Sequence, residues 1–242
     1  MPVERFWSED AAYLRPFDVN HWVYIAVLLA VFILLVRKKA FVREKRKKIS
    51  MIVLTVSLFQ QVLLYTWYYF ETGFHLSVSL PLHISRISTL LGMVYLLTKN
   101  AKVMDILFYF SLFAYGSFLY PMRVYAIEHV MGQSFLINHI ITLLLPYYAR
   151  MAYGWKPAPF SFLKAYAAFL VYFAVVLIVN PLVDGNYFYL KFRPFFKNWP
   201  ELAYNTTILV VVFAGFWGVY WIVERWTGKR NLPLDNQISE RR

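Results

Sequence analysis

A small set of polar and ionisable side chains lies inside otherwise apolar stretches of this 242-residue chain. Such groups are costly at membrane depth and are usually functional. Ser85 and His139 have the types needed for acyl chemistry, in which a serine hydroxyl attacks an ester carbonyl and a histidine takes the proton. Arg86 with His83 suits an anion such as a phosphate or carboxylate, because a guanidinium offers a planar fork of donors. Asn138 is a further candidate for holding an oxyanion or a headgroup.

Helical spacing separates these residues into two groups. At about 100° per residue, His83 and Arg86 share one face of a helix, while Ser85 and Thr89 share another. Ser85 therefore needs a base from a different helix, and His139 is the best candidate. The competing interpretation is structural, because a serine inside a membrane helix commonly bonds to a carbonyl of its own helix.

The composition places the chain among membrane proteins. Hydrophobic residues make up 60% and charged residues 16%, against about 45–50% and about 25% in soluble domains, and the mean hydropathy is +0.49. The absence of cysteine excludes disulfides, thiolate metal sites and cysteine nucleophiles. The five histidines show neither HxxxH nor HExxH spacing, so neither a metal nor a cofactor is predicted.

The apolar stretches predict an all-α polytopic membrane bundle of about seven transmembrane helices. A spanning helix needs about 20 apolar residues, and the third stretch is the least hydrophobic of the set. We expect one helical membrane domain over residues 1–226 and a short, disordered cytoplasmic tail over 227–242. The predicted spans run approximately over 21–36, 52–70, 80–97, 103–120, 131–151, 160–179 and 202–223.

The distribution of positive charge predicts the orientation. With seven spans, 18 Lys and Arg residues fall on one side and 6 on the other, which predicts an outer N-terminus and an inner C-terminus. The densest run, from Arg37 to Lys48, lies in a short loop between two spans. We therefore expect it to rest on anionic lipids of the inner leaflet rather than to bind nucleic acid.

This orientation gathers the candidate residues near the outer surface. His83, Ser85 and Arg86 lie within about two turns of the outer end of the third span, and His139 lies about 12 Å down the fifth. The loop over 180–200 is on the same side. The sequence predicts a pocket that opens to the outer leaflet, bounded by the third and fifth spans and covered by this loop.

Three segments resemble the YwaF-like integral membrane family of bacteria. They are LPLHISRISTLLGMVYLLTKN at 80–100, FLINHIITLLLPYYARM at 135–151 and GNYFYLKFRP at 185–194. That family is similar to an animal acyltransferase of ether phospholipids and, more distantly, to threonine hydrolases of fatty-acid esters. The resemblance implies that Ser85 stands at the position of a proposed acyl-carrying cysteine, and Arg86 at that of an acidic residue. His83 and His139 match the two family histidines, while Asn186 and Tyr187 match the NY of the late loop and are candidate substrate-binding residues.

Two functions follow as hypotheses for a multi-pass protein of a cell membrane, for which the resemblance implies the bacterial plasma membrane. The first is lipid acyl transfer or acyl-ester hydrolysis by a Ser85 and His139 pair, with an anion site at Arg86 and His83. The alternative is a non-catalytic protein of envelope biogenesis that binds, transports or regulates lipids through their headgroups. A membrane phospholipid or another lipid is the expected partner in both. The sequence identifies no protein partner.

Overall fold

The computed structural model describes residues 6–228 of the chain, with side chains up to 224. The tail predicted over 227–242 therefore lies almost entirely outside the described residues. The described chain is helical, and its longer helices are connected by short loops. In order, the helices are α1 (Val19–Arg37), α2 (Lys39–Glu44), α3 (Arg46–Glu71), α4 (Leu76–Ser79), α5 (Ile84–Thr98), α6 (Ala101–Leu119), α7 (Val130–Tyr153), α8 (Ser161–Val183) and α9 (Glu201–Gly228), with a 3₁₀ turn at Tyr187–Tyr189.

Six of these helices are long and apolar enough to cross a membrane, namely α1, α3, α6, α7, α8 and α9. The shortest of them has 19 residues, or about 28 Å at 1.5 Å per residue, which matches a hydrocarbon layer of about 30 Å. Their outward surfaces are apolar, as lipid contact requires. The prediction of a polytopic helical membrane bundle is confirmed.

Helix α5 corresponds to the predicted third span but has only 15 residues. It nevertheless runs from one end of the bundle to the other. Near its start, Arg86 reaches Tyr68 at the end of α3, and just past its last residue Lys99 reaches Ser50 at the beginning of α3. The short helix α4 and the non-helical residues 80–83 precede it, so a broken segment takes the place of a full-length helix.

Because every crossing reverses the chain, the loops gather at two ends. We call the end with residues 72–83, 120–129 and 184–200 the outer end, following the charge distribution, and the end with residues 38–45 and 154–160 the inner end. Helix α7 is central and packs against α1, α2, α3, α5 and α6. An aromatic core joins α6, α8 and α9 through Tyr109, Phe169 and Phe216.

Residues 6–18 lie across the outer ends of α3 and α7, and we call them the outer cap. The Leu14 amide donates to the Val124 carbonyl over 2.8 Å. The Trp67 indole donates to the Trp7 carbonyl over 2.6 Å, and Nε2 of His129 donates to the Ser8 carbonyl over 3.1 Å. Three backbone groups of the cap are thereby paired, two of them with side chains of the bundle.

The outer cap should loosen in acid because of His129. Its Nδ1 accepts the Met131 amide, and its ring stacks on Tyr125. Burial lowers the pKa of His129 below its ordinary value, although the Ser8 and Trp7 carbonyls and the Glu71 charge oppose the shift. A lowered folded-state pKa means that the unfolded state takes up the proton first, so this contribution to stability is present above the unfolded pKa and is lost as pH falls.

We expect the free energy of unfolding to fall as the pH is lowered from about 7 to about 5. The pH dependence should be smaller in His129→Asn, in which the asparagine can still cap α7. Thermal unfolding across this range, with hydrogen exchange of residues 6–18, measures the effect. His75→Asn, at an exposed histidine, is the control. An equal acid loss in wild type and His129→Asn would contradict the assignment.

Candidate functional site

The site is built around the break between α3 and α5. Pro81 has no amide hydrogen and disfavours helix at the residue before it, so the chain leaves α4 in an extended conformation at Leu80. It re-enters helix at Ile84, with His83 at the N-cap position. Non-helical backbone at membrane depth must find partners inside the protein, because lipid offers none.

Arg86 supplies most of these partners. Its Nη1 donates to the carbonyls of Val78, Ser79 and Leu80 over 3.0, 3.1 and 2.8 Å. Its Nη2 donates to the Tyr68 hydroxyl over 2.5 Å, and the guanidinium carbon lies 4.7 Å from the centre of the Tyr68 ring. Arg86 is 5% exposed, and none of the described carboxylates forms an ion pair with it. Its observed contacts therefore fix the break, and only Nε and one Nη2 hydrogen remain for an anion.

Tyr187 holds the break from the other side. Its hydroxyl donates to the Leu76 carbonyl over 2.5 Å and accepts the Leu80 amide over 3.0 Å. The His83 ring meets the Tyr187 ring edge to face at 4.9 Å. The late loop thus reaches the third predicted span, where both hydrogen bonds of the Tyr187 hydroxyl are to backbone groups.

Asn180, which sequence reasoning did not select, positions Tyr187. Its side-chain amide donates to the Tyr187 carbonyl over 3.0 Å, and its oxygen accepts the Tyr187 amide over 2.9 Å. A Cβ on Gly185 would lie 3.0 Å from that oxygen, so glycine allows the close approach. Asn186, predicted to bind substrate, accepts the amides of residues 191 and 192 and thereby shapes the loop. An asparagine directly before proline at a helix end was the available signal for Asn180.

Ser85 lies in the first turn of α5 and differs from its neighbours. Ser88 donates to the Ile84 carbonyl over 2.9 Å and Thr89 to the Ser85 carbonyl over 3.0 Å, so both hydroxyls bond to their own helix. The half-buried Ser85 hydroxyl has no hydrogen-bond partner among residues 6–228, and neither do the amides of Ile84 and Ser85. Unpaired amides at a helix start can stabilise negative charge.

Asn138 and His139 have different surroundings although they are adjacent. The Asn138 side-chain oxygen accepts from Thr142 and shares the Thr89 hydroxyl hydrogen with the Ser85 carbonyl, which ties α5 to α7. Nδ1 of His139 donates to the Phe135 carbonyl over 2.8 Å, and the ring stacks on Phe135 with centres 3.8 Å apart. A carbonyl can only accept, so Nδ1 carries the proton and Nε2 keeps its lone pair. In the described part of the chain, Nε2 has no hydrogen-bond partner.

No hydrogen bond among the described residues joins Ser85 of α5 to His139 of α7. Ser85 is one turn before Thr89, which contacts α7, and about two turns before Gly92, whose added Cβ would meet Leu145 of α7 and Leu107 of α6. Helical spacing therefore directs Ser85 toward the contact of α5 with α6 and α7. His139 packs against Phe118 of α6 with ring centres 5.8 Å apart.

Among residues 6–228, no cluster of three or more His, Asp or Glu side chains could hold a metal ion. A lipid-facing groove of about 510 Å³ follows the outer half of α3, where Val62, Tyr65, Tyr69 and Phe74 are among its lining residues. Tyr65 also lies 5.9 Å below the Arg86 guanidinium carbon, so the groove adjoins the break.

Fold and site together define a polytopic α-helical membrane protein with buried polar groups around a broken segment near its outer end. The TMEM164 family model matches residues 16–235, and the chain belongs to this family. This agrees with the expectation of a multi-span membrane family. Comparisons with curated proteins and with solved structures gave no match.

Arg86→Met should destabilise the fold strongly. The substitution leaves the carbonyls at the end of α4 without donors, and an unsatisfied buried polar group costs about 1–3 kcal/mol. Arg86→Lys should be intermediate, because an ammonium has three donors but lacks the planar fork. Thermal unfolding of the purified protein in detergent measures the loss, with Arg15→Met, at an exposed arginine of the outer cap, as control. Unfolding of Arg86→Met at the wild-type temperature would rule out the structural role.

Proposed function

We propose that this protein carries out acyl transfer or acyl-ester hydrolysis on a membrane lipid, with Ser85 as the acyl-carrying nucleophile. The observation that carries the proposal is the unpaired Ser85 hydroxyl at the start of α5, beside two unpaired amides. Its neighbours on α5 have their hydroxyls bonded to the helix. The residues three and four positions before Ser85 precede α5, so no helix carbonyl accepts its hydroxyl, which is available for chemistry.

His139 is the proposed general base. Its Nδ1 proton is held by the Phe135 carbonyl, which leaves Nε2 as the basic nitrogen. This is the arrangement that serine chemistry needs, in which one ring nitrogen is oriented and the other accepts a proton. Catalytic hydrogen bonds are often long before substrate binds, so the missing Ser85 contact is compatible with the role.

The reaction proceeds in two steps. Ser85 Oγ attacks the ester carbonyl carbon while Nε2 of His139 takes the hydroxyl proton, and the amides of Ile84 and Ser85 stabilise the oxyanion. The bond from that carbon to the lipid alkoxy oxygen breaks, and the proton passes from His139 to the leaving oxygen. A second lipid hydroxyl, or water, then attacks acyl-Ser85 in the same way and restores the serine.

The resemblance to YwaF-like proteins and the related ether-phospholipid acyltransferase supports this reading, because Ser85 occupies the position of the proposed acyl-carrying cysteine. It also favours the bacterial plasma membrane as the location. Arg86, which stands where the family has an acidic residue, stabilises the break. Arginine at this position is therefore compatible with acyl chemistry at Ser85.

A second candidate is non-catalytic binding of an anionic lipid headgroup beside Arg86. One observation favours it: a buried guanidinium without a carboxylate partner lies over Tyr65, which lines the groove on α3. An acyl chain in this groove would place a headgroup near the two free Arg86 donors. This candidate differs from the first in requiring no reaction at Ser85.

Ser85→Ala should abolish turnover and leave the fold intact. The full chain is reconstituted with phospholipids, and its products are followed by mass spectrometry. We expect the lysolipid, the fatty acid and any transacylated lipid to fall to background levels in this variant. Ser88→Ala, which removes a hydroxyl already bonded to the helix, is the matched control. Ser85→Cys should retain activity and trap a hydroxylamine-sensitive thioester, because a thiol can carry the acyl group. Wild-type product levels in Ser85→Ala would overturn the mechanism, whereas the absence of products with the wild-type protein itself would leave lipid binding as the function.

His139→Gln should lower turnover by about 100- to 10,000-fold, the range for losing a general base. Labelling of Ser85 by a fluorophosphonate probe should fall in parallel, since the hydroxyl is no longer activated. His75→Gln, at an exposed histidine of the outer end, is the control. Undiminished turnover and labelling in a folded His139→Gln protein would exclude His139 as the base.

A further inference from the structure

An apolar groove lies at the inner end, on the opposite side of the bundle from Ser85. Its volume is about 580 Å³, which is within the usual range for small-ligand sites. Three helices line it. Helix α1 contributes Val31, Leu34 and Leu35, α2 contributes Phe41 and Val42, and α3 contributes Ile49. Lys38, at the corner between α1 and α2, provides the cationic group of the lining.

The groove is preformed by packing. Val42 is 5% exposed and lies in a core cluster with Leu145 and Tyr148 of α7, against which Leu35 and Ile49 also pack. Helix α2 is therefore anchored to the central helix and forms a fixed wall. Leu34 and Phe41 are 58% and 55% exposed, so the groove opens toward lipid.

The charge beside the groove is strongly positive. The run from Arg37 to Lys48 contains eight cations and one acidic residue, Glu44. Glu44 pairs with Lys45 over 2.6 Å, and no other ion pair is found for this run within residues 6–228. Helix α2 begins directly after Lys38, which is the cation of the run that lines the groove.

We propose that this groove is a binding site for an inner-leaflet anionic phospholipid, with one acyl chain along Leu34 and Phe41 and the phosphate at Lys38. A hydrocarbon groove that ends in cations matches the two parts of such a lipid, and a neutral lipid would leave the cations unpaired. A cation near the membrane surface adds to the attraction for anionic headgroups. The site is independent of the chemistry proposed at Ser85.

The test compares lipid binding by the full-length protein in native mass spectrometry, with phosphatidylglycerol and phosphatidylcholine as probes. Wild type should retain phosphatidylglycerol preferentially. Lys38→Gln should reduce that preference about fivefold, as expected for losing one cation near the surface. Lys102→Gln, an exposed lysine at the inner start of α6 outside the groove lining, should leave it unchanged.

Leu34→Trp tests the binding of the acyl chain, because the larger side chain fills the groove. If that variant fails to fold, Phe41→Ala tests the same point by removing a side chain from the groove wall. Either folded variant should lower phosphatidylglycerol retention, with thermal unfolding as the check on folding. Equal effects of Lys38→Gln and Lys102→Gln would overturn the proposal, because they indicate a diffuse basic surface. Displacement by soluble glycerol phosphate as effective as by the lipid would also overturn it, because the groove would then contribute nothing.

Discussion

The need to satisfy non-helical backbone inside a membrane governs the outer half of this protein. Residues 80–83 interrupt the helical path between α4 and α5, and lipid provides no hydrogen bonds to the exposed peptide groups. Arg86 covers three carbonyls, Tyr187 covers the Leu76 carbonyl and the Leu80 amide, and Tyr172 donates to the Leu82 carbonyl over 2.9 Å. Helices α3, α5 and α8 and the late loop are therefore fixed relative to one another through this segment.

The need to pair the backbone of the break also explains how the charged Arg86 and the free hydroxyl of Ser85 occupy adjacent positions. Arg86 points toward α3 and α4, where carbonyl dipoles solvate its charge, while helical spacing turns Ser85 toward α6 and α7. Starting α5 as late as Ile84 leaves the Ile84 and Ser85 amides unpaired. The break thus supplies both a stable frame and the unpaired groups on which the proposed acyl chemistry depends.

Adjacent residues on α7 show the same division. Asn138 is held by Thr89 and Thr142 and ties two helices together. His139, one position further, packs among aromatic rings with one nitrogen oriented by its own helix. In the proposed function, Asn138 therefore serves packing and His139 serves chemistry.

The sequence by itself determined the class of fold. Apolar length and the charge distribution predicted a helical membrane bundle, and a third crossing at 80–97, because hydrophobic thickness and loop charge act on each segment locally. The tertiary structure decided which polar groups are occupied. Arg86, from its type, and Asn186 and Tyr187, from the family resemblance, are predicted binding residues, and the structure shows that each also hydrogen-bonds to backbone groups. Hydrogen-bond satisfaction depends on partners distant in sequence, such as Asn180 for Tyr187 and Tyr68 for Arg86, which local pattern does not reveal.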